Sequence, residues 1–313
     1  MAFEENKTII SFIIPAYNEE DRIKESIQAI KRNNPQDSYE IIVVDNGSTD
    51  STSEIVMAES AILIKVDKDT IASARNRGVS VSCGQILIFL DADVLVTGKW
   101  QNEIDKTIRS LREDPFIVTG SRCDVPDDRN WIFRYWFHRM QNEKPNYINS
   151  GHLITTKKLF QSIGGFRKEF STSEDYDFCA RAKGVGARII NNPNLQVIHT
   201  GYPKTLKEFV LRERWHGFED FKSVKNIMRS KMALVAVVNI IIAVSFIIMA
   251  VLQRNFILIL VYLMLSYILL MILTLIKFGY GRFVSLMVTP VIFFFYVWGR
   301  SLSFIDRIKA LVL

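Results

Sequence analysis

Ile86-Leu87-Ile88-Phe89-Leu90-Asp91-Ala92-Asp93 is an apolar run closed by two aspartates. Two earlier stretches share its form, Phe12-Ile13-Ile14-Pro15-Ala16-Tyr17-Asn18-Glu19 and Ile41-Ile42-Val43-Val44-Asp45-Asn46-Gly47-Ser48. Short β-branched runs followed by helix-like segments are the pattern of buried strands in a parallel sheet. All strand ends of such a sheet lie on one edge, where open α/β folds bind their ligands. Glu19, Asp45, Asp91 and Asp93 are therefore expected to converge on one cleft. Facing carboxylates repel unless a cation or a hydrogen-bonding ligand holds them. A metal and a nucleotide would do both.

Working outward, Asn18–Arg32 has acidic residues early, basic ones late, and Ile23, Ile27 and Ile30 at helical spacing. Further elements are expected at Glu40–Val44 (strand), Asp50–Ala58 (helix), Ala61–Val66 (strand) and Ile71–Ser82 (helix). This alternation predicts an α/β domain with a doubly wound, mostly parallel sheet. No Gly-x-Gly-x-x-Gly follows the first strand, so a dinucleotide-binding version has no support. Beyond it the pattern predicts strands near Phe116–Gly120, Ile148–Thr155, Arg188–Ile190 and Gln196–His199. A helix at Lys157–Ile163 is closed by Gly164-Gly165, and another opens at Ser173–Asp177.

The charge is divided unevenly along the 313 residues. From Lys231 onward seven basic side chains face the single acid Asp306, which accounts for the whole formal charge of +6. A nucleic-acid binder concentrates positive charge on its folded domain, so the basic balance argues for no nucleic-acid partner. Met232–Gln253 and Asn255–Ile276 each run 22 residues without a charge, and Phe283–Gly299 runs 17. A span needs about 20 apolar residues. The third run carries Pro290 and reaches Ile305 if Arg300 snorkels or meets protein; otherwise it is re-entrant or interfacial.

Phe218, Phe221, Val224 and Met228 lie near one helical face among lysines, as in a helix lying among lipid headgroups. The expected organisation is a domain over 1–217, an amphipathic interfacial helix over 218–231 and a membrane domain over 232–313. Its spans lie near 232–253, 255–276 and 283–305. Lys222, Lys225, Arg229 and Lys231 precede the first span, and the start Met1-Ala2-Phe3-Glu4-Glu5 lacks the basic residues of a signal peptide. By the positive-inside rule the folded domain faces the cytosol from a multi-pass position in the cytoplasmic membrane. Cys83, Cys123 and Cys179 form no C-x-x-C pair and fit a reducing compartment.

Strand alternation aims Asp91 and Asp93 the same way. Mg²⁺ is typically held by one or two carboxylates completed by phosphates and water, so a metal with a diphosphate suits this pair.

Several motifs occur in a set order: Pro15-Ala16-Tyr17-Asn18-Glu19-Glu20, Val44-Asp45-Asn46-Gly47-Ser48-Thr49-Asp50, Ala74-Arg75-Asn76-Arg77-Gly78, Asp91-Ala92-Asp93, Gly164-Gly165-Phe166 and Glu174-Asp175. In that order they resemble family 2 glycosyltransferases, inverting enzymes of the GT-A fold, over roughly residues 8–220. The resemblance implies a nucleotide-sugar donor, Mn²⁺ or Mg²⁺, and a doubly wound GT-A sheet followed here by C-terminal transmembrane helices. It implies that Pro15, Ala16, Tyr17 and Glu19 frame the base and ribose. Asp45 would accept a hydrogen bond from the base, uracil or guanine, and Arg75 would approach the nucleotide or diphosphate. Asp91 and Ala92 would lie near the ribose, with Asp91 also near the metal, and Asp93 would ligate the metal directly. His199 falls where many GT-A enzymes place a third metal ligand.

Asp175 is the candidate general base for the acceptor hydroxyl, with Glu174 beside it on the acceptor side. The alternative for this segment is a helix N-cap with acids in its first turn, and for Asp45 and Asp50 a turn or cap. Arg212-Glu213-Arg214-Trp215 resembles the Q-x-x-R-W of processive polysaccharide synthases, with Leu211 in place of the glutamine. Arg214 and Trp215 either meet the acceptor or belong to a packing helix. Trp131–Phe137 is the densest aromatic patch before the tail, either an acceptor-side element near the bilayer or ordinary core. The expected acceptor is lipid-linked or a glycan, a polyprenyl phosphate being the main rival within the class. A nucleotidyltransferase and a noncatalytic membrane scaffold are the alternatives from other classes.

Overall fold

A computed structural model describes residues 10–126, 130–140 and 146–312. The acidic N-terminal start lies outside them. Two compact units result, one of residues 1–126 and 143–201, the other of 127–142 and 202–313.

The first unit is built on a seven-stranded sheet. Its strands are β1 (Ile10–Ala16), β2 (Tyr39–Asn46), β3 (Ile62–Val66), β4 (Ile86–Leu90), β6 (Ile117–Gly120), β7 (His152–Thr156) and β8 (Arg188–Asn191), in the order β3-β2-β1-β4-β7-β6-β8. β1 pairs in parallel with β2 and β4, and β2 with β3. Alternate strand residues supply two cores. Phe12, Ile14, Val43, Ile88 and Leu90 meet the helices Ile23–Arg32 and Gly98–Glu113. Ile13, Val44, Leu87 and Phe89 meet the helix Ile71–Val81 and the aromatic group Phe160, Phe166 and Phe178. Burial on both faces explains why these strands are apolar throughout instead of alternating. The expected doubly wound, mostly parallel sheet is observed.

Three features depart from the expectation. The helix Gly98–Glu113 adds Trp100, Ile104, Ile108 and Leu111 to the core. The helix expected from Asn18 begins at Ile23, because Asn18 takes a left-handed φ of 54° and its side chain accepts from Thr49 N–H at 2.8 Å. Most important, β7 runs antiparallel to β4, with Leu90 opposite His152. That reversal brings the start of β7, and with it the turn Asn149–Gly151, to the edge where β1, β2 and β4 end. A two-stranded ribbon, β5 (Val94–Val96) with β9 (Val197–His199), is antiparallel and sets His199 opposite Val94.

Gly120 closes β6 at φ +148° where β7 begins, and a Cβ there would fall 2.1 Å from the His152 carbonyl oxygen. Backbone cannot yield as a side chain does. Gly120→Ala is expected to cost more than about 2 kcal/mol, seen as a lowered melting temperature of the detergent-solubilised chain. An unchanged melting temperature would show that the β6–β7 crossing has room for a methyl group.

Among the described residues, the second unit contains three helices long and apolar enough to cross a membrane: Lys231–Leu252, Ile257–Phe278 and Phe283–Lys309. The third belongs to a continuous helix Phe283–Val312, and Arg300 within it meets protein, donating to Glu213 at 3.2 Å and Asp220 at 3.1 Å. The helix Leu206–His216 packs against it; a Cβ at Gly299 would lie 2.8 Å from that of Glu213. Within the aromatic patch Phe133, Trp136 and Phe137 are buried in packing, while Trp131 is exposed. Trp136 lies within a turn of π-helix, Phe133–Phe137, and contacts the rings of Phe209, Phe278, Phe293 and Tyr296. The amphipathic helix expected over 218–231 is reduced to Val224–Arg229. Phe221 turns inward onto Ala233 and Ala236, while Val224 and Met228 stay exposed.

Candidate active site

The candidate site at the sheet edge is assembled by strand ends. Pro15 and Ala16 close β1, buried, and Tyr17 follows them, exposed, with Lys68 Nζ 3.6 Å from its ring centroid. Asp45 lies in the buried stretch that ends β2 and takes hydrogen bonds from Ser48 N–H at 2.9 Å and from the Ser53 hydroxyl. Burial pushes its carboxyl up, but those donors outweigh it and the net shift is downward. Asp50 is a turn residue, accepting from Thr52 N–H at 3.0 Å and Glu20 N–H at 3.1 Å.

Asp91 and Asp93 follow β4 and converge with His199. One ligand atom from each of the three lies within 4.8 Å of the others. The ribbon explains the third member: pairing of β9 with β5 carries His199 to Asp93, Nε2 to Oδ1 3.6 Å. Thr200 N–H donates to the Asp93 carbonyl at 2.8 Å and fixes the join. Ala92 is buried between them, its carbonyl accepting from Ser26 Oγ at 2.6 Å. Glu19 approaches the same group. Its carboxyl is raised first by burial and then by the charge of Asp93, with Asp91 adding to it. Glu19, Asp91 and Asp93 thus converge as expected, whereas Asp45 takes its hydrogen bonds from its own turn. Two carboxylates and an imidazole at this spacing fit a divalent cation of the Mn²⁺ or Mg²⁺ type.

Glu174 and Asp175 open the helix Glu174–Gly184 and are both buried. Ser173, the cap in the alternative reading of this segment, makes no side-chain capping bond; it takes φ +67°, an unusual conformation for a serine. The turn brought in by antiparallel β7 receives the acids. Ser150 N–H donates to Asp175 Oδ2 at 3.3 Å, and Ser150 Oγ donates to Glu174 Oε1 at 2.8 Å. Tyr176 N–H donates to Asp175 Oδ1 at 2.7 Å. Burial, reinforced by the charge of Glu174, raises the Asp175 carboxyl to about 7 against the opposing pull of Tyr176 N–H and Arg75. Such a group changes protonation near neutral pH, where a general base is most effective.

Arg75, from the helix Ile71–Val81, joins the two carboxylate groups. Its Nη2 donates to Asp91 at 2.6 Å and its Nη1 to Glu174 at 2.7 Å. Ser150 and Gly151, from the segment Asn149–Leu153 that the sequence leaves without a defined role beside the donor sugar, and Gly201, which carries no signal, complete the site. A Cβ on Gly151 would meet Asp91 Oδ2 at 2.7 Å, and Asp91 N–H donates to the Gly151 carbonyl. Buried His152 accepts from the Trp100 indole at 3.0 Å, and burial pushes its pKa down to about 3. It is neutral and structural. Arg214 and Trp215 lie in the second unit. Arg214 makes a two-pronged ion pair with Asp306 (2.5 and 2.6 Å), in keeping with the packing-helix alternative, and Trp215 is exposed.

The family model Glycosyl transferase family 2 matches residues 11–175, and Glycosyl transferase family group 2 matches residues 107–298. Glycosyltransferase AglE of Haloferax volcanii is 31% identical over 190 residues, 56% of this chain and 62% of its own. Dolichyl-phosphate beta-glucosyltransferase ALG5D of Trichomonas vaginalis is 29% identical over 155 residues, 44% of this chain and 46% of its own. The matches therefore span less than two thirds of these relatives. Among solved structures, the mannosyltransferase PcManGT from Pyrobaculum calidifontis, in complex with GDP-Man and Mn²⁺, is similar with a TM-score of 0.58 at 17% identity. That likeness covers 95% of this chain and 86% of the other, and it shows a shared GT-A fold. Each family model spans more than half of the chain, which belongs to glycosyl transferase family 2 and is a transferase.

Proposed function

We propose that this chain is a membrane-anchored, inverting glycosyltransferase that moves a sugar from a nucleotide sugar, UDP-linked, to a lipid-linked or glycan acceptor. The observation that carries this reading is the approach of the Asp91–Asp93–His199 group to the buried Glu174-Asp175 pair, the two joined through Arg75. Pro15, Ala16, Tyr17 and Asp45 line the edge assigned to the base and ribose, with Glu19 and Ala92 nearer the metal group. When bound by Asp93, His199 and Asp91, Mn²⁺ or Mg²⁺ supplies neutralisation of the departing diphosphate. Asp175 takes the proton of the acceptor hydroxyl as that oxygen attacks the anomeric carbon from the face opposite the leaving group. Carboxylates nearby favour the oxocarbenium-like charge that develops on the sugar.

The three apolar helices serve as the anchor. Exposed Val224 and Met228 among Lys222, Lys225 and Arg229 suit contact with headgroups, and the same basic residues argue for a cytosolic catalytic domain. Anchoring raises the effective concentration of a lipid-borne acceptor. The similarity to a dolichyl-phosphate glucosyltransferase favours one second reading, transfer onto a polyprenyl phosphate. Of the two acceptor residues proposed in the second unit, Trp215 is exposed near the end of its helix, whereas Arg214 is engaged by Asp306.

The test is thermal stabilisation of the full chain in detergent by UDP and by GDP, each with and without Mn²⁺, alongside Asp93→Ala. UDP is expected to stabilise only with Mn²⁺, and Asp93→Ala to abolish the effect. A GDP preference would keep the mechanism and move the donor to a GDP-sugar. No response to either nucleotide would sink the donor assignment.

A further inference from the structure

Arg75 is 1% exposed, and both ends of its guanidinium are engaged. Nη2 lies 2.6 Å from Asp91 Oδ1 and Nη1 lies 2.7 Å from Glu174 Oε1, an oxygen that also accepts from Ser150 Oγ. Glu174 is itself only 5% exposed. Charge-assisted hydrogen bonds between buried groups are strong, and breaking one leaves an uncompensated charge. A guanidinium held in this way is a poor candidate to swing toward a diphosphate. It is well suited to hold a carboxylate in a fixed orientation.

We propose that Arg75 and Glu174 are positioning residues of the cation site: Glu174 anchors one end of the guanidinium so that the other end fixes Asp91 beside Asp93 and His199. The proposal rests on the reading of that group as a divalent-cation site. Two physical consequences follow from the shared guanidinium. Its geometry leaves Asp91 one oxygen committed to Nη2 and the rest of its lone pairs available. Its charge is divided between two carboxylates, so Asp91 keeps more of its attraction for a cation than it would if paired with Arg75 alone. Outer partners that orient metal ligands typically change affinity by about 10- to 100-fold when removed.

Mn²⁺ alone is the probe, its free fraction followed by electron paramagnetic resonance during titration of the full chain in detergent micelles. Glu174→Gln and Glu174→Asp are each expected to weaken Mn²⁺ binding by about 10-fold. The aspartate keeps the charge but is one methylene too short to hold Arg75. Wild-type affinity in Glu174→Asp with weakening only in Glu174→Gln would overturn the proposal, because net charge alone would then suffice. Wild-type affinity in both would overturn it as well. Asp93→Ala separates this from the underlying reading: if wild type binds no Mn²⁺, or Asp93→Ala binds as well as wild type, the cation site fails and the positioning role with it.

Discussion

Asp175→Asn is expected to lower transfer onto a hydroxyl acceptor by about 10²- to 10⁴-fold, the range for loss of a general base, with nucleotide affinity unchanged. The substitution preserves shape but cannot take a proton, and no hydrogen bond to the nucleotide edge is involved. Asp175 accepts from two backbone N–H groups, of Ser150 and Tyr176, so an asparagine oxygen can keep at least one of them. The sign of the pH dependence follows from the same surroundings. Burial and Glu174 raise the Asp175 carboxyl to about 7. Below that pH it is protonated and inactive as a base, so kcat/KM should climb with pH and level off above about 7, not above about 4. Glu174→Gln removes the charge that helps to raise it and should move the rising limb to lower pH. A phosphate acceptor already carries an ionised oxygen and needs little deprotonation by the enzyme. A loss below about 10-fold in Asp175→Asn would therefore select the polyprenyl-phosphate reading.

Much of this site was legible because strand ends carry it. Glu19, Asp91 and Asp93 each follow an apolar run, and parallel topology gathers the ends of such runs whatever lies between them. What the sequence did not disclose is what depends on direction and close approach. Nothing in Ile148–Thr155 says that its strand runs antiparallel to β4, yet that reversal alone brings Ser150 and Gly151 against Asp175 and Asp91. The helix Gly98–Glu113 did carry a signal in Trp100, Ile104, Ile108 and Leu111. Its remaining residues are so polar that the segment resembles a connection. The aromatic patch was ambiguous for the opposite reason: aromatic residues of Trp131–Phe137 point in most directions around a helix, and the contacts of Trp136 within its unit are what identify that side chain as core. Arg75 was expected at the nucleotide. A sequence motif says that an arginine is needed there, not which two carboxylates it will bridge.

Gly201→Ala is expected to leave the fold intact and to weaken Mn²⁺ binding by at least about 10-fold, with loss of nucleotide stabilisation. A Cβ there would sit 1.7 Å from Asp93 Oδ2, 2.8 Å from Asp93 Cγ and 3.2 Å from His199 Cε1. The obstruction is the end of a flexible side chain, so the cheapest relief is rotation of the Asp93 carboxylate, not a shift of backbone. That rotation is what the cation site cannot tolerate, since its ligand atoms lie within 4.8 Å of one another. Gly151→Ala should act on Asp91 in the same direction, through a Cβ 2.7 Å from Oδ2. Gly98→Ala is the matched control. It opens a helix in the same unit with nothing within 4 Å of its Cβ, and should bind Mn²⁺ as wild type does. Melting temperature without metal separates damage to the fold from damage to the site. If Gly201→Ala melts like wild type and still binds Mn²⁺ normally, Asp93 is free to rotate without consequence, and its assignment as the direct ligand fails.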